Sequence, residues 1–306
     1  MSRPTAHTGK VGGETAQAIA AASNHGRWGV DDELGTLNHI TDEVRTRAVA
    51  EARLGRFVSI AARIDPSVVI PGPMAAFSPP SGPVQSTMFF TGSPPIAMAE
   101  QLAVNTHHPR LTHLDALSHT VVDGQVYPGV PLGERAAFNG LKRGSTAAFS
   151  SGVITRGVFL DLAPEGGRLS SGFRITGDVL DAACQRNGVE VLPGDAVVIR
   201  TGWREFEHDE PTAGLTPDGV RWLGEKSVSV YAGDIGDAHP ILDPQNPTPL
   251  HRIGIVHLGL LLCDVADPTE LAKVCAELGR CTFMLVLAPM RVDGLTGCPV
   301  NPLAVF

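Results

Sequence analysis

The sequence predicts an α/β protein of one large domain, and three observations carry that prediction. Five stretches, GVITRGVFLDL, DAVVIRTGW, VSVYAGD, RIGIVHLGLLL and FMLVLAPMRV, read as strands. Several are apolar on consecutive residues, as expected when helices cover both faces of a sheet. Helical patterns over 176–186, 217–225 and 268–278 alternate with them. At 306 residues and 43% hydrophobic the chain is long enough for such a core, and no repeat or linker divides it.

Taken in order, the first 25 or so residues are small and polar, with an Ala-rich piece at 15–22 that suits a short helix. They are set apart from a domain spanning 26–306. GKVGG within them lacks the preceding strand and following Lys-Ser/Thr of a phosphate loop. A helix is expected to start at Thr41 as N-cap, with Asp42 and Glu43 in its first turn, Val44, Ala48, Val49 and Ala52 on one stripe and Gly55 as its stop. FVSIAA then reads as a strand. Residues 65–85 hold six prolines and two glycines, which excludes an ordinary helix or central strand and suits a lid or binding loop.

The charge of −8 comes with no basic block, which argues against nucleic acid or an anionic membrane as the partner and for a small molecule. Five cysteines, an odd number with no C-x-x-C pair, suit reduced thiols. No signal peptide is evident, and no run reaches the roughly 18 apolar residues of a membrane span. The expectation is a soluble cytoplasmic protein.

The chemistry concentrates in HHPRLTHLDALSH, where four of the eleven histidines fall within thirteen residues. In a strand, His113 and Asp115 project to the same side while Leu114 and Leu117 are free to pack. An imidazole and a carboxylate converging on one point begin a Zn²⁺ or Mn²⁺ site, and the nearby His107 and His108 strengthen that reading. His119 follows where the chain is expected to turn and faces the same pocket without having to be a ligand. A buried His with an Asp partner is also common as plain structure, so the motif alone does not decide.

THLDALSH followed by DGQVYPG resembles the signature of the metal-dependent cyclase family, which includes bacterial kynurenine formamidases and isatin hydrolases. RWGVDDELGTLNHIT resembles the opening segment of the longer members and LTGCPVNPLAVF their closing segment. The resemblance implies a swivelling β/α/β fold with a mixed central sheet, a homodimer or homotetramer, and one or two divalent ions, Zn²⁺ or Mn²⁺, per chain. It implies His113 and Asp115 as ligands and His119 as catalytic acid/base. The first ligand falls on His107 by its six-residue offset, with His108 as the alternative. The last two ligands fall on His251 and Asp264, where the family has Glu; Asp is shorter by about 1.5 Å, one methylene, which leaves the metal count open.

His257, in the expected strand with His251, is read as structural or as supporting the ligands. Asp234, Asp237 and His239 follow a strand end, a common place for site groups, although turn formation explains them equally. His7, His25, His39 and His208 are expected to be solvated, and Cys263 to be packing. The expected activity is hydrolysis of a carbon–nitrogen amide bond, in an aryl formamide or lactam, by metal-activated water with His119 moving the proton. The Pro-rich segment, with Met74, Phe77, Met88 and Phe89, would wall the ring of the substrate. A metal-dependent lactonase or lyase/cyclase is the alternative; a non-catalytic binding protein on the same fold is the second.

Overall fold

The computed structural model describes residues 23–70, 80–204, 207 and 209–306. The polar segment up to residue 22, with its expected helix, the GKVGG run and His7, lies outside the described residues, as do Met74, Phe77 and His208.

Nine strands form one mixed sheet in the order Phe57–Ser59, Leu303–Val305, Thr282–Leu287, Val153–Asp161, Ala196–Arg200, Val230–Gly233, Leu261–Asp264, His113–Asp115, Gly297–Pro299. The four strands from Val153–Asp161 to Leu261–Asp264 run parallel; the strands flanking them on each side pair antiparallel. Alternate side chains enter two cores. Leu160, Ile199, Tyr231 and Leu262 pack with the helices Gly177–Arg186 and Pro217–Glu225, while Phe159, Val198, Ala232 and Cys263 pack with Asp42–Val49 and Thr269–Leu278 on the opposite face. That two-sided burial is why these strands are apolar at successive positions.

Thr41 caps its helix by accepting from the Val44 amide, as the sequence suggests, but the helix ends at Val49 and not at Gly55. Val44 and Ala48 are buried whereas Val49 and Ala52 are exposed, so the apolar stripe is only two residues long. No core contact is left to extend the helix.

The larger correction concerns RIGIVHLGLLL. Residues Leu250–Leu258 form a π-helical segment, ended by Gly259 in the left-handed region at φ +64°, and only Leu261–Asp264 is strand. Ile253, Ile255 and Val256 supply the β-branched character that suggests a strand, yet all are buried in a helical turn, Ile253 and Ile255 in the core that holds Leu160 and Tyr231. A short apolar run without clear period does not separate the two states. His257 therefore does not share a strand with His251. Its ring stacks on His25, 5.2 Å between centroids.

Within the Pro-rich segment the described residues form an isolated bridge, Ile70 to Ser81, before Val84 and Gln85 begin a strand. After it comes an unanticipated hairpin, Val84–Thr91 paired with Ala97–Val104, which stands apart from the main sheet.

Candidate metal centre

His113 and Asp115 sit two apart on their strand and turn to the same face, away from Leu114, which is fully buried in the opposite core. Across the antiparallel ladder Asp264 lies opposite His113, so its carboxylate joins that face. Gly297 lies opposite Asp115 on the other side. A Cβ at Gly297 would meet the His107 ring at 2.5 Å, so only glycine there lets His107 swing over Asp115. Gly236 plays the same part for Asp264, whose Oδ2 would be 2.6 Å from an added Cβ.

Four imidazoles surround Asp115. His107 Nδ1 is 3.0 Å and His113 Nε2 3.4 Å from its Oδ1, His119 Nε2 is 3.9 Å away, and His251 Nε2 is 3.3 Å from Oδ2. The same His251 nitrogen is 3.3 Å from Asp264 Oδ2. Asp264, although one methylene shorter than the family's Glu, thus reaches the cluster. Two sets of side chains have ligand atoms within 4.8 Å of one another: His107, Asp115 and His119, and His113, Asp115 and Asp264. Asp115 belongs to both.

His107 and His108 go opposite ways. His107 reaches Asp115 and contacts Thr296 Oγ1 through its other nitrogen at 3.1 Å. His108 is buried with both nitrogens engaged, Nε2 against the Ser81 carbonyl and Nδ1 accepting from the Arg110 amide.

The electrostatics of the cluster call for a cation. Both Asp115 oxygens, Asp264 Oδ1 and His107 Nδ1 are buried without a hydrogen-bond partner among the described residues. Buried carboxylate oxygens left in that state are strongly unfavourable unless something positive meets them. Protons take that place here. Burial pushes His113 down, but the adjacent Asp115 and Asp264 outweigh it and raise the imidazole to about 9. His251 is raised well above its ordinary range against its own burial by Asp264, Asp115 and Asp237, and the surrounding imidazoles hold Asp115 well below the carboxylate range despite its burial. His119 goes the other way. Burial first, and then the charges of His107, His251 and His113, push it down to about 4 against the pull of Asp115.

Supporting residues include one the sequence left open and others it did not point to. Asp237, left open there as a pocket candidate, accepts from the amides of Leu250 and His251 and bonds His251 Nδ1 at 2.7 Å, which aims Nε2 at the cluster. Glu33 accepts from Arg143 and the Gly144 amide, and the Gly144 carbonyl accepts from Ser118 beside His119. The acid-rich DDEL run carries that signal only when its partners are known. Asp234 serves elsewhere: it binds Thr201 and Gly202, and burial raises it to about 6. The His239 amide donates to Thr212. Two histidines expected in solvent are instead half-buried, His25 against the Val256 carbonyl and His39 edge-on to Trp28. All five cysteines are free, and burial pushes the Cys263 thiol up, consistent with packing.

Comparison with known proteins adds the family. The structure of a protein described as a novel cyclase is similar at 29% identity, covering 94% of this chain and 99% of that one, with a TM-score of 0.81. An isatin hydrolase bound to the product analogue thioisatinate is similar at 18% identity and TM-score 0.63, covering 86% of this chain and 98% of that one. Isatin hydrolase A from Labrenzia aggregata follows at 19% identity and TM-score 0.60, covering 81% and 93%. At such identities the isatin hydrolases share the fold. No curated protein matches this chain. A family model described as "Putative cyclase" matches residues 37–238, well over half of the chain, and the protein belongs to that cyclase family.

Proposed function

We propose that the protein is a metal-dependent hydrolase that cleaves a carbon–nitrogen amide bond, in an aryl formamide or a lactam, of a small ring-bearing substrate. The observation that carries this reading is the pair of unpartnered, buried Asp115 oxygens ringed by His107, His113, His119 and His251. These donors fit Zn²⁺ or Mn²⁺, with His107, His113, Asp115, His251 and Asp264 as the residues that would hold one or two ions. When bound, such an ion polarises a carbonyl and brings the pKa of water from 15.7 to about 7.

The remaining work falls to the chain. His251 is kept in one tautomer by Asp237, which accepts a hydrogen bond from its Nδ1–H and leaves Nε2 free to bind. His119, held low by burial, is neutral near pH 7 and available as a base. Its Nε2 accepts the proton lost by water as the water oxygen joins the carbonyl carbon. It returns that proton to the nitrogen as the C–N bond breaks, leaving an amine and a carboxylic acid, which ionises to the carboxylate. The likeness to isatin hydrolases supports a lactam-type substrate. Incubation with aryl formamides, isatin-like lactams and lactones, read by product mass, tests the reading. Gain of one water by an amide is expected; turnover of lactones alone, or of none, contradicts it.

A further inference from the structure

We infer that Glu33 is a positioning residue for His119: it holds, from the side away from the metal centre, the turn against which the His119 backbone rests. The inference takes His119 as the acid/base of the proposed reaction. Among the described residues no hydrogen bond reaches the His119 ring. Its Nε2 stands 3.9 Å from Asp115, and the ring lies flat against His107, 3.8 Å between centroids and 9° between planes. A ring that takes up and returns a proton is thereby left unbonded, and only stacking and its own backbone aim it. Stacked rings slide over one another at little cost, so the backbone decides where the nitrogen points.

That backbone is fixed at Ser118. The buried Ser118 donates its amide to the Gly144 carbonyl at 3.1 Å and its hydroxyl to the Arg143 carbonyl at 3.3 Å. Gly144 has φ +67°, and a Cβ there would meet Ser118 Oγ at 2.3 Å, so only glycine lets this turn close on Ser118. Glu33 grips the same turn with both oxygens: Oε2 accepts from the Gly144 amide at 2.6 Å and Oε1 from Arg143 Nε at 2.9 Å. Asp31 accepts from both terminal nitrogens of that guanidinium. Glu33 is itself firmly mounted. Asp32 beside it accepts from the Gly35 amide and the Tyr127 hydroxyl, both at 2.8 Å, and Thr36 donates to the Gly259 and Ser229 carbonyls. With Arg143 40% and Glu33 30% exposed, the ion pair adds little to stability. Its second oxygen does something else: it fixes the place of a buried amide whose own carbonyl carries Ser118.

In Zn²⁺-treated protein labelled with ¹³C at histidine Cε1, each ring gives a proton signal, and comparison with His119→Asn identifies that of His119. Stacking on His107 displaces it upfield in the native protein. Glu33→Ala should lose that displacement; Glu33→Asp, too short to reach both the amide and the guanidinium, serves if Glu33→Ala does not fold. Asp195→Asn, which loosens Arg47 and Arg156 away from the site, should lower the melting temperature and leave the His119 signal in place. On an amide substrate the Glu33 variant should lose about 10²-fold in kcat, the cost of a misplacement of about 1 Å, with KM and zinc content little changed. A His119 signal unmoved in the folded Glu33 variant overturns the inference, as does one moved equally by Asp195→Asn, or full kcat in a variant whose signal has moved. A native protein that hydrolyses no amide defeats the reading of the site instead, and the His119 signal then decides the part of Glu33 alone.

Discussion

Asp115 sits fully enclosed with four imidazoles about it and, among the described residues, no hydrogen-bond donor supplied by the backbone, and the roles of its neighbours follow from that position. His107→Ala should weaken Zn²⁺ binding by at least tenfold, because it removes a nitrogen 3.0 Å from Asp115. His108→Ala should leave metal affinity within a few-fold and lower the melting temperature instead, since it strips the Ser81 carbonyl and Arg110 amide of a buried partner. Chelator competition and thermal melts on the two variants separate the assignments, and the reverse pattern would exchange them. His119→Asn should keep its metal and lose about 10² to 10⁴-fold in kcat. A His119→Asn protein that no longer holds metal would make His119 a ligand, in keeping with its place beside His107 and Asp115.

At the scale of elements, the turn that carries His251 is what the sequence conceals. H-x-D in a strand projects two side chains one way whatever the rest of the fold, so the shared face of His113 and Asp115 is legible from their spacing, whereas their role as ligands rests on the family resemblance. His251 depends on a π-helical segment whose residues resemble a strand, and on an aspartate fourteen residues earlier. Helices with good capping signals, such as Pro217–Glu225, are legible for the opposite reason: Thr216 and Pro217 declare the start locally. The hairpin at 84–104 lacks a regular alternation of apolar and polar residues, its strands reading VQSTMFFT and AMAEQLAV, and the long Pro-rich run ahead of it masks where pairing begins. Asp237→Asn should weaken metal binding by about 10 to 100-fold while leaving the strands intact, because it loosens the orientation of His251 and not the ligand itself. Unchanged affinity would mean that the π-helical backbone alone aims the ring.

For the whole molecule, the nine-stranded sheet brings groups distant in sequence to one buried place, at the edge where parallel strands give way to antiparallel ones. Charge balance there has a consequence for pH. Without metal, His113 carries a proton up to about pH 9, above its ordinary 6.5. A raised histidine stabilises the fold fully below its unfolded pKa and loses that contribution as pH rises through the folded value. Metal-stripped protein should therefore melt at progressively lower temperature from about pH 6.5 to 9, and metal-loaded protein should not follow it, since its ligands are already deprotonated. Metal binding near pH 7.5 should release about two protons, from His113 and His251, seen by calorimetry in buffers of different ionisation enthalpy.

The claim on which the rest stands is that this cluster holds a divalent ion, and elemental analysis of the purified protein, before and after addition of Zn²⁺ or Mn²⁺, tests it most directly. The account predicts one or two ions per chain, lost in an Asp115→Ala variant that still folds. Protein that contains none and takes up none would contradict it.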